Sequence, residues 1–366
     1  NVDRSLVEAI CYEHRITDFI SQWFGNLGLP LERHLVHEGT ATSPARENIV
    51  MRLGDDESRP TLMLEVHQDT VPIEGMTIEP LAGELRDGRI YGRGACDVKG
   101  AMACILAAVS RLVADPPPQL PNIVVACTVN EEHGFTGAKH LPTTWGKPPD
   151  AIIVSEPTEL NVVVAHKGVV RWRCTVAGRA AHSSNPSAGD NAIYRMAKVI
   201  QHLQSYAADV VPTLSEHSLL GRPSLSVGTI TGGISVNTVP DKCEIEIDRR
   251  LLPHEDPHEA QSHVIEHLRS QLGEEANHIQ HGEPFITARG LKDEQNKPLA
   301  EQLIAVARQA GVSSQAIGVP FGTDASAFGS EAPTIVFGPG SIAQAHTKDE
   351  WIEVEQLHQA TEILLR

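Results

Sequence analysis

The chain has 366 residues, with 47 acidic side chains against 30 Lys and Arg, for a formal net charge of −17. Hydrophobic residues make up 41% and charged residues 21%, an ordinary globular composition at a length that predicts two domains. The negative balance argues against nucleic acid or an anionic membrane as main partner, because both need a basic surface.

The first predicted element is a helix over residues 3–27, with Leu6, Ile10, Ile16, Phe19, Ile20 and Phe24 at helical spacing and Gly25 and Gly28 ending it. The opening Asn-Val-Asp-Arg-Ser-Leu has neither a basic start nor an apolar core, so no signal peptide is read there. Strand-like apolar runs follow at Asn48–Leu53, Thr61–Val66, Ile123–Val129, Ala151–Val154 and Thr334–Phe337, with helical stretches at Val98–Val113 and Leu299–Ala310. Apolar strands alternating with helices predict an α/β sheet covered on both faces. The longest uninterrupted apolar run, Ala101–Val109, is far shorter than the ~20 residues of a spanning helix, so no membrane segment is expected.

The middle of the chain differs. Val169–Ala177, Ser224–Ile230 and Cys243–Asp248 alternate with period two, and amphipathic helices are expected near Asn191–Leu203 and Pro257–Leu272. These predict an α+β module at 168–281, with two helices on one sheet face, inserted into an α/β domain made of 1–167 and 282–366. The six cysteines, Cys11, Cys96, Cys104, Cys127, Cys174 and Cys243, contain no Cys-x-x-Cys pair. They read as buried free thiols of a reducing compartment, which points to the cytoplasm.

Chemistry collects just past the ends of the apolar runs. Thr61–Val66 is followed by His67-Gln-Asp69, Ile123–Val129 by Asn130-Glu131-Glu132, and Ala151–Val154 by Ser155-Glu156. Thr334–Phe337 leads through Gly338-Pro-Gly340 to His346, and Tyr91-Gly-Arg-Gly-Ala-Cys-Asp97 places Asp97 ahead of a helix. Open α/β sheets bind ligands outside the carboxyl ends of their strands. Carboxylates gathered there repel one another unless a cation neutralises them. A single loop Asp or His is usually just solvated; two His with three carboxylates, each from a different run, suit one or two divalent metals, most often zinc.

Weaker motifs are set against these. Gly92-x-Gly94-x-x-Asp97 has an Asp where a dinucleotide fingerprint needs its third Gly, and that carboxylate would oppose a pyrophosphate. His263-Val-Ile-Glu266-His267 matches the inverted zinc-protease motif, but it lies in a histidine-rich stretch where chance matches are easy. There is no Gly-x-Ser-x-Gly elbow, and no Cys stands in a nucleophile's context.

Six stretches carry a resemblance: Glu65-Val-His67-Gln-Asp69-Thr-Val-Pro72, Gly92-Arg-Gly94-Ala-Cys-Asp97-Val-Lys-Gly100, Asn130-Glu131-Glu132, Ser155-Glu156-Pro157-Thr158, Gly178-Arg-Ala-Ala-His182-Ser-Ser184 and Gly338-Pro-Gly-Ser-Ile-Ala-Gln-Ala-His346. In this order they resemble the co-catalytic zinc aminoacylase/carboxypeptidase family, which includes acetylornithine deacetylase, succinyl-diaminopimelate desuccinylase and glutamate carboxypeptidase. The resemblance implies a zinc-exopeptidase-like mixed sheet flanked by helices, with an inserted lid and dimerisation domain of four antiparallel strands and two helices. It implies two divalent ions, zinc or cobalt, bridged by Asp97, with His67 and Glu156 completing one site and Glu132 and His346 the other. Glu131 would be the general acid/base, Asp69 would hydrogen-bond the outer nitrogen of His67, and the Asp97–Val98 peptide would be cis. His182 would reach across a homodimer to the oxyanion of the partner's substrate. Lys167, Asn237, Arg250 and the Gly322–Thr323 backbone would hold the substrate's carboxylate.

The last motif, followed by Asp349-Glu350, and Asp248-Arg-Arg250-Leu-Leu-Pro253 look most like the acetylornithine deacetylase branch. Leu251 stands where relatives have Pro, and Gly322-Thr323-Asp324 where the deacetylases usually have Cys-Thr-Glu. The implied reaction is hydrolysis of the amide of a small N-acyl amino acid, N-acetylornithine first. A desuccinylase, a carboxypeptidase or aminoacylase, and an inactive dimeric binding module remain as alternatives. A two-metal phosphoesterase is disfavoured, because basic residues to clamp a phosphate near the ligands are missing.

Overall fold

The structure, a computed structural model, describes residues 12–41 and 43–366. The chain forms two compact units. The first comprises the described residues through Val164, Lys292–Gly318 and Thr323–Arg366; the second comprises Ala165–Leu291 and Val319–Gly322.

The first unit is built on an eight-stranded mixed sheet. Its order is Leu31–His37, Arg46–Leu53, Asn122–Thr128, Thr61–His67, Ala151–Val154, Thr334–Val336, Val162–His166 and Ala316–Val319. The four central strands, from Asn122–Thr128 to Thr334–Val336, are mutually parallel. The late strand Thr334–Val336 lies between Ala151–Val154 and Val162–His166. The helix Gly100–Ala114 buries residues almost all round, because it is held between the sheet and the C-terminal helix Val354–Leu364. Ile105 and Val109 join Leu64, Val66, Val125, Ile335 and Phe337 in one core. Truncating such an Ile to Ala costs about 2–5 kcal/mol.

The expected strands and helices of this unit appear with shifted ends, such as Gly100–Ala114 for 98–113 and Lys297–Gln309 for 299–310. The first helix is seen as His14–Asn26; the earlier part of the 3–27 expectation, and Cys11, lie outside the described residues. Three strands of the eight-stranded sheet escaped the sequence reading. Leu31–His37 is a half-exposed, charge-rich strand at one edge, while Val162–His166 and Ala316–Val319 are too short to show a period.

The second unit is an antiparallel sheet with two helices. Its strands run in the order Ser224–Gly232, Lys242–Leu251, Gly168–Ala177 and Ile279–His281, and Ile286–Ala288 also pairs with Gly168–Ala177. Two short segments thus share the fourth position across the sheet. The alternation read from the sequence is the burial pattern: Val170, Trp172, Cys174, Val176, Cys243, Ile245 and Ile247 face the helices. Ala192, Met196, Val199 and Leu203 supply the buried stripe of the helix Ala192–Ser205. Asn191 caps that helix, and Asp256 caps Pro257–Leu272, each accepting two backbone N–H groups.

Candidate metal centre

Parallel pairing brings the chemistry to one edge of the sheet. His67 is in register with Thr128, and Glu65 with Val154, so three strands end side by side. The loops beyond them stay in contact: the Gln68 N–H donates to the Thr128 carbonyl at 2.7 Å and the Ser155 N–H to the Glu65 carbonyl at 2.9 Å. Gly338 is required by close approach, since a Cβ there would sit 2.6 Å from the Glu156 carbonyl oxygen. Gly94, at φ +81°, opens the turn into Asp97, and the Asp97–Val98 peptide is cis.

Six of the candidate side chains converge. His67, Glu131 and Glu156 each bring a ligand atom within 4.8 Å of the others, and so do Asp97, Glu132 and His346. Asp97 joins the two groups. Its Oδ1 lies 3.1 Å from His67 Nε2 and its Oδ2 lies 3.3 Å from His346 Nε2. The latter nitrogen is also 3.0 Å from the Glu132 carboxylate. His346 is the exposed member and Glu132 is partly exposed, whereas the other four are buried.

Asp69 acts on this centre in two ways. Its backbone carbonyl lies 3.1 Å from His67 Nδ1, while its carboxylate is farther from that nitrogen, at 3.7 Å. A neutral ring donating its Nδ1–H there would present Nε2 as a ligand nitrogen, while the protonated ring also donates from Nε2 to Asp97 at 3.1 Å. The Asp69 carboxylate instead accepts the backbone N–H groups of Glu131 and Glu132.

The electrostatics are those of crowded acids. Burial, then the charge of Glu156, pushes the Glu131 carboxyl well above its usual range. Burial and Asp97 do the same to Glu156. Burial alone would raise Asp97 too, but hydrogen bonds from His346 and His67 outweigh it and hold that carboxyl low. His346 is correspondingly raised to about 10 by Asp97 and Glu132. Such a site is short of positive charge. Its imidazole nitrogens and carboxylate oxygens form a donor set that fits two divalent transition ions with a shared carboxylate between them.

Several contributors were not visible in the sequence. The Thr128 hydroxyl has one proton, yet it sits 2.5 Å from Glu65 Oε1 and 2.9 Å from Asp324 Oδ2. One acid must therefore donate to it, and the buried pair holds a proton. Burial and the Asp324 charge raise Glu65 well above its ordinary value, and burial raises Asp324 to about 6. Lys99 donates to the Gln68 carbonyl at 3.0 Å beside these loops. Glu350, fully buried, accepts the backbone N–H groups of Gly94, Cys96 and Asp97 at 2.9–3.1 Å. An acid in a loop carries no such signal in sequence, because its usual fate is solvation.

Lys167, His182, Asn237, Arg250 and Gly322 belong to the second unit and Thr323 to the first. His182 and Asn237 are brought together by the short ladder Ala181–His182 with Thr238–Val239, and by the Ser183 N–H donating to the Asn237 carbonyl at 3.0 Å. His182 is exposed, and its Nδ1 accepts the Ser184 backbone N–H at 3.2 Å. A backbone N–H can only donate, so the neutral ring carries its proton on Nε2. The Arg250 Nε donates to Asp248 at 2.8 Å, and Arg171 takes the other oxygen at 2.6 Å. Lys167 donates to the Arg222 carbonyl; burial, then Arg249 and Arg250, lower its ammonium. Thr323 is fully buried and its hydroxyl accepts the Ala325 N–H.

Among the described residues only the two clusters above bring three potential ligand atoms together, so the 263–267 motif forms no third one. There the Tyr206 hydroxyl bonds His263 Nδ1 at 2.7 Å, and its ring meets His263 and His267 edge-on. Cys96, Cys104, Cys127, Cys174 and Cys243 are free and buried, and burial pushes their thiols up, against a nucleophile's role.

Residues 63–366 match the family described as Peptidase family M20/M25/M40. An acetylornithine deacetylase from Myxococcus xanthus is 32% identical over 87% of this chain and 82% of its own. Among solved structures, a tripeptidase from Staphylococcus aureus superposes with a TM-score of 0.75 at 23% identity, over 96% of this chain and 90% of its own. A Bacillus subtilis protein described as a dinuclear metal-binding peptidase of the M20 family gives 0.68 at 17% identity, over 96% and 90%.

Proposed function

The chain belongs to Peptidase family M20/M25/M40, and from that premise we propose that it is a dinuclear metal-dependent deacylase of N-acyl amino acids, with N-acetylornithine as substrate and zinc or cobalt as the metal. The carrying observation is Asp97, one of whose oxygens faces His67 and the other His346. The 32% identity to an acetylornithine deacetylase supports the substrate.

In this reading His67 and Glu156 would hold one ion and Glu132 and His346 the other, with Asp97 serving each. Two ions held there supply Lewis acidity toward an amide carbonyl and lower the pKa of water. Glu131, kept basic by burial and by Glu156, takes the proton of the attacking water and returns it to the departing amine. Asp69 fixes the backbone of Glu131, so the carboxylate is aimed before substrate arrives. His182, with its proton on Nε2, donates to the developing oxyanion. Lys167, Asn237, Arg250 and the Gly322–Thr323 backbone bind the substrate carboxylate, for which Arg250 exchanges part of its pairing with Asp248.

The module at 168–281 serves as lid and dimerisation domain. The exposed edge strand Ser224–Gly232 supports this reading. It carries Ile230 at 57% exposure and is followed by Ile234 at 91% and Val236 at 100%. Unpaired strand edges with apolar side chains invite a second chain. Buried free thiols support a cytoplasmic setting, and no helix among the described residues is long and apolar enough to cross a membrane.

The test is metal analysis together with a substrate panel. Chelation should abolish hydrolysis of N-acetylornithine, and zinc or cobalt should restore it. Faster turnover of N-succinyl-diaminopimelate or of short peptides would move the assignment to those branches. Full activity in metal-free protein would reject it.

A further inference from the structure

The buried acid Glu350 is not among the residues assigned to binding or chemistry, yet its carboxylate is fully engaged. Oε1 accepts the Cys96 and Asp97 N–H groups at 2.9 and 3.0 Å. Oε2 accepts the Gly94 N–H at 3.1 Å and the Arg93 guanidinium at 2.6 Å. Three of these donors belong to the turn that delivers Asp97. Arg93 reaches further, donating to the Thr347 carbonyl at 3.2 Å and to the Pro72 carbonyl at 3.2 Å. The Gly92 N–H donates in turn to the Glu350 carbonyl at 3.0 Å.

These contacts tie two distant pieces of chain, the Asp97 turn and the segment after His346. The other ligands need no such tie. His67 ends a central strand and Glu156 follows another, so the sheet ladder places both. His346 lies on an exposed loop, outside any strand or helix, and its distance to Asp97 is set by whatever joins the two loops. We propose that Glu350, with Arg93, is the positioning residue that sets the spacing of Asp97 and His346, and so governs the affinity of the Asp97–Glu132–His346 site for its ion. This rests on the two-ion reading above.

The chemistry explains why a carboxylate is used. Four donors converge on two oxygens, and only an ionised carboxyl offers enough acceptors for all of them. A Gln there would turn an NH2 group toward N–H donors and leave the buried Arg93 without its counter-charge.

The experiment titrates metal-free wild type and Glu350→Gln with Co2+, following the visible absorption of bound cobalt, bound metal per chain, and thermal unfolding of the metal-free proteins. The expected result is a first ion bound with wild-type affinity and a second bound ~10–100-fold more weakly, the usual cost of losing a residue that supports a metal ligand. Activity lost at low cobalt should return at high cobalt. Two ions bound with unchanged affinities would overturn the proposal. So would equal weakening of both ions together with a lowered melting temperature of the metal-free protein, which marks a purely structural role. If Glu350→Gln does not fold, Arg93→Lys decides: it keeps the carboxylate on the Asp97 turn but drops the reach to Thr347 and Pro72. Selective loss of the second ion supports the assignment, and its retention overturns it. A wild type that takes up no cobalt overturns the two-ion reading itself, and the role of Glu350 with it.

Discussion

One oxygen of the Asp69 carboxylate accepts the backbone N–H of Glu131 at 3.0 Å, while the other accepts that of Glu132 at 3.1 Å. A single side chain therefore sets the backbone under two neighbours to which the proposed reaction gives different tasks, proton transfer at one and ligation at the next. Asp69→Asn presents an NH2 to one of these donors and should lower kcat by ~10–100-fold, with KM nearly unchanged. Steady-state kinetics on metal-saturated protein checks this; a change confined to KM would contradict it.

Glu131 and Glu132 can be separated by substitution. Glu131→Gln should remove turnover and leave two ions bound, whereas Glu132→Gln should lose the ion it shares with His346. Glu131 lies within ligand distance of His67 and Glu156, so the opposite pattern is chemically open and would exchange the two roles. Metal content by elemental analysis, read beside kcat, distinguishes them.

His182 is expected to serve the partner's site. Its loss should cost ~10²–10³ in rate, as for other oxyanion donors. A dimer mixed from His182→Ala and Glu131→Gln chains has one complete site only if His182 acts in trans, and should then regain about half of wild-type activity, one site of two. Confirmed heterodimers without recovery would place His182 in its own chain's site.

Acid stability should report on His166. This ring is fully buried, Nδ1 bonding the Lys167 carbonyl at 3.0 Å, and burial pushes it down to about 4 from an ordinary 6.5. Between those values the unfolded chain binds a proton that the folded one refuses. The stabilisation is therefore complete above pH 6.5 and is lost as pH falls toward 4, by roughly 3 kcal/mol. Denaturant unfolding of wild type and His166→Gln across this window should show a shallower acid decline in the variant. Parallel slopes would remove His166 as the cause.

The sequence showed the parts of the centre that strands deliver. His67, Glu131, Glu132 and Glu156 stand just past long apolar runs, and parallel pairing turns that regularity into proximity. It did not show the supports. Glu350 sits in a loop and Asp324 opens the short 3-10 helix Asp324–Ala327, places where an acid ordinarily meets water, and only the fold reveals that each is buried against specific partners. Asp69 was legible as a neighbour of His67, but its hold on Glu131 and Glu132 crosses between two strand ends. The edge strand Leu31–His37 stayed hidden for a different reason: it buries too little to need a clean alternation.

The strand Thr334–Val336 fills a slot between two strands that are complete by residue 166. As the chain is synthesised, that slot cannot be filled until the residues of the second unit have been made. Only after that long excursion can the slot close, carrying Gly338 against Glu156 and bringing His346 and Glu350 to Asp97. Pairing across such sequence separations is slow, so closure of this slot is expected late in folding. Under the two-ion reading proposed above, an ion arriving before that closure would find a cradle with one side missing.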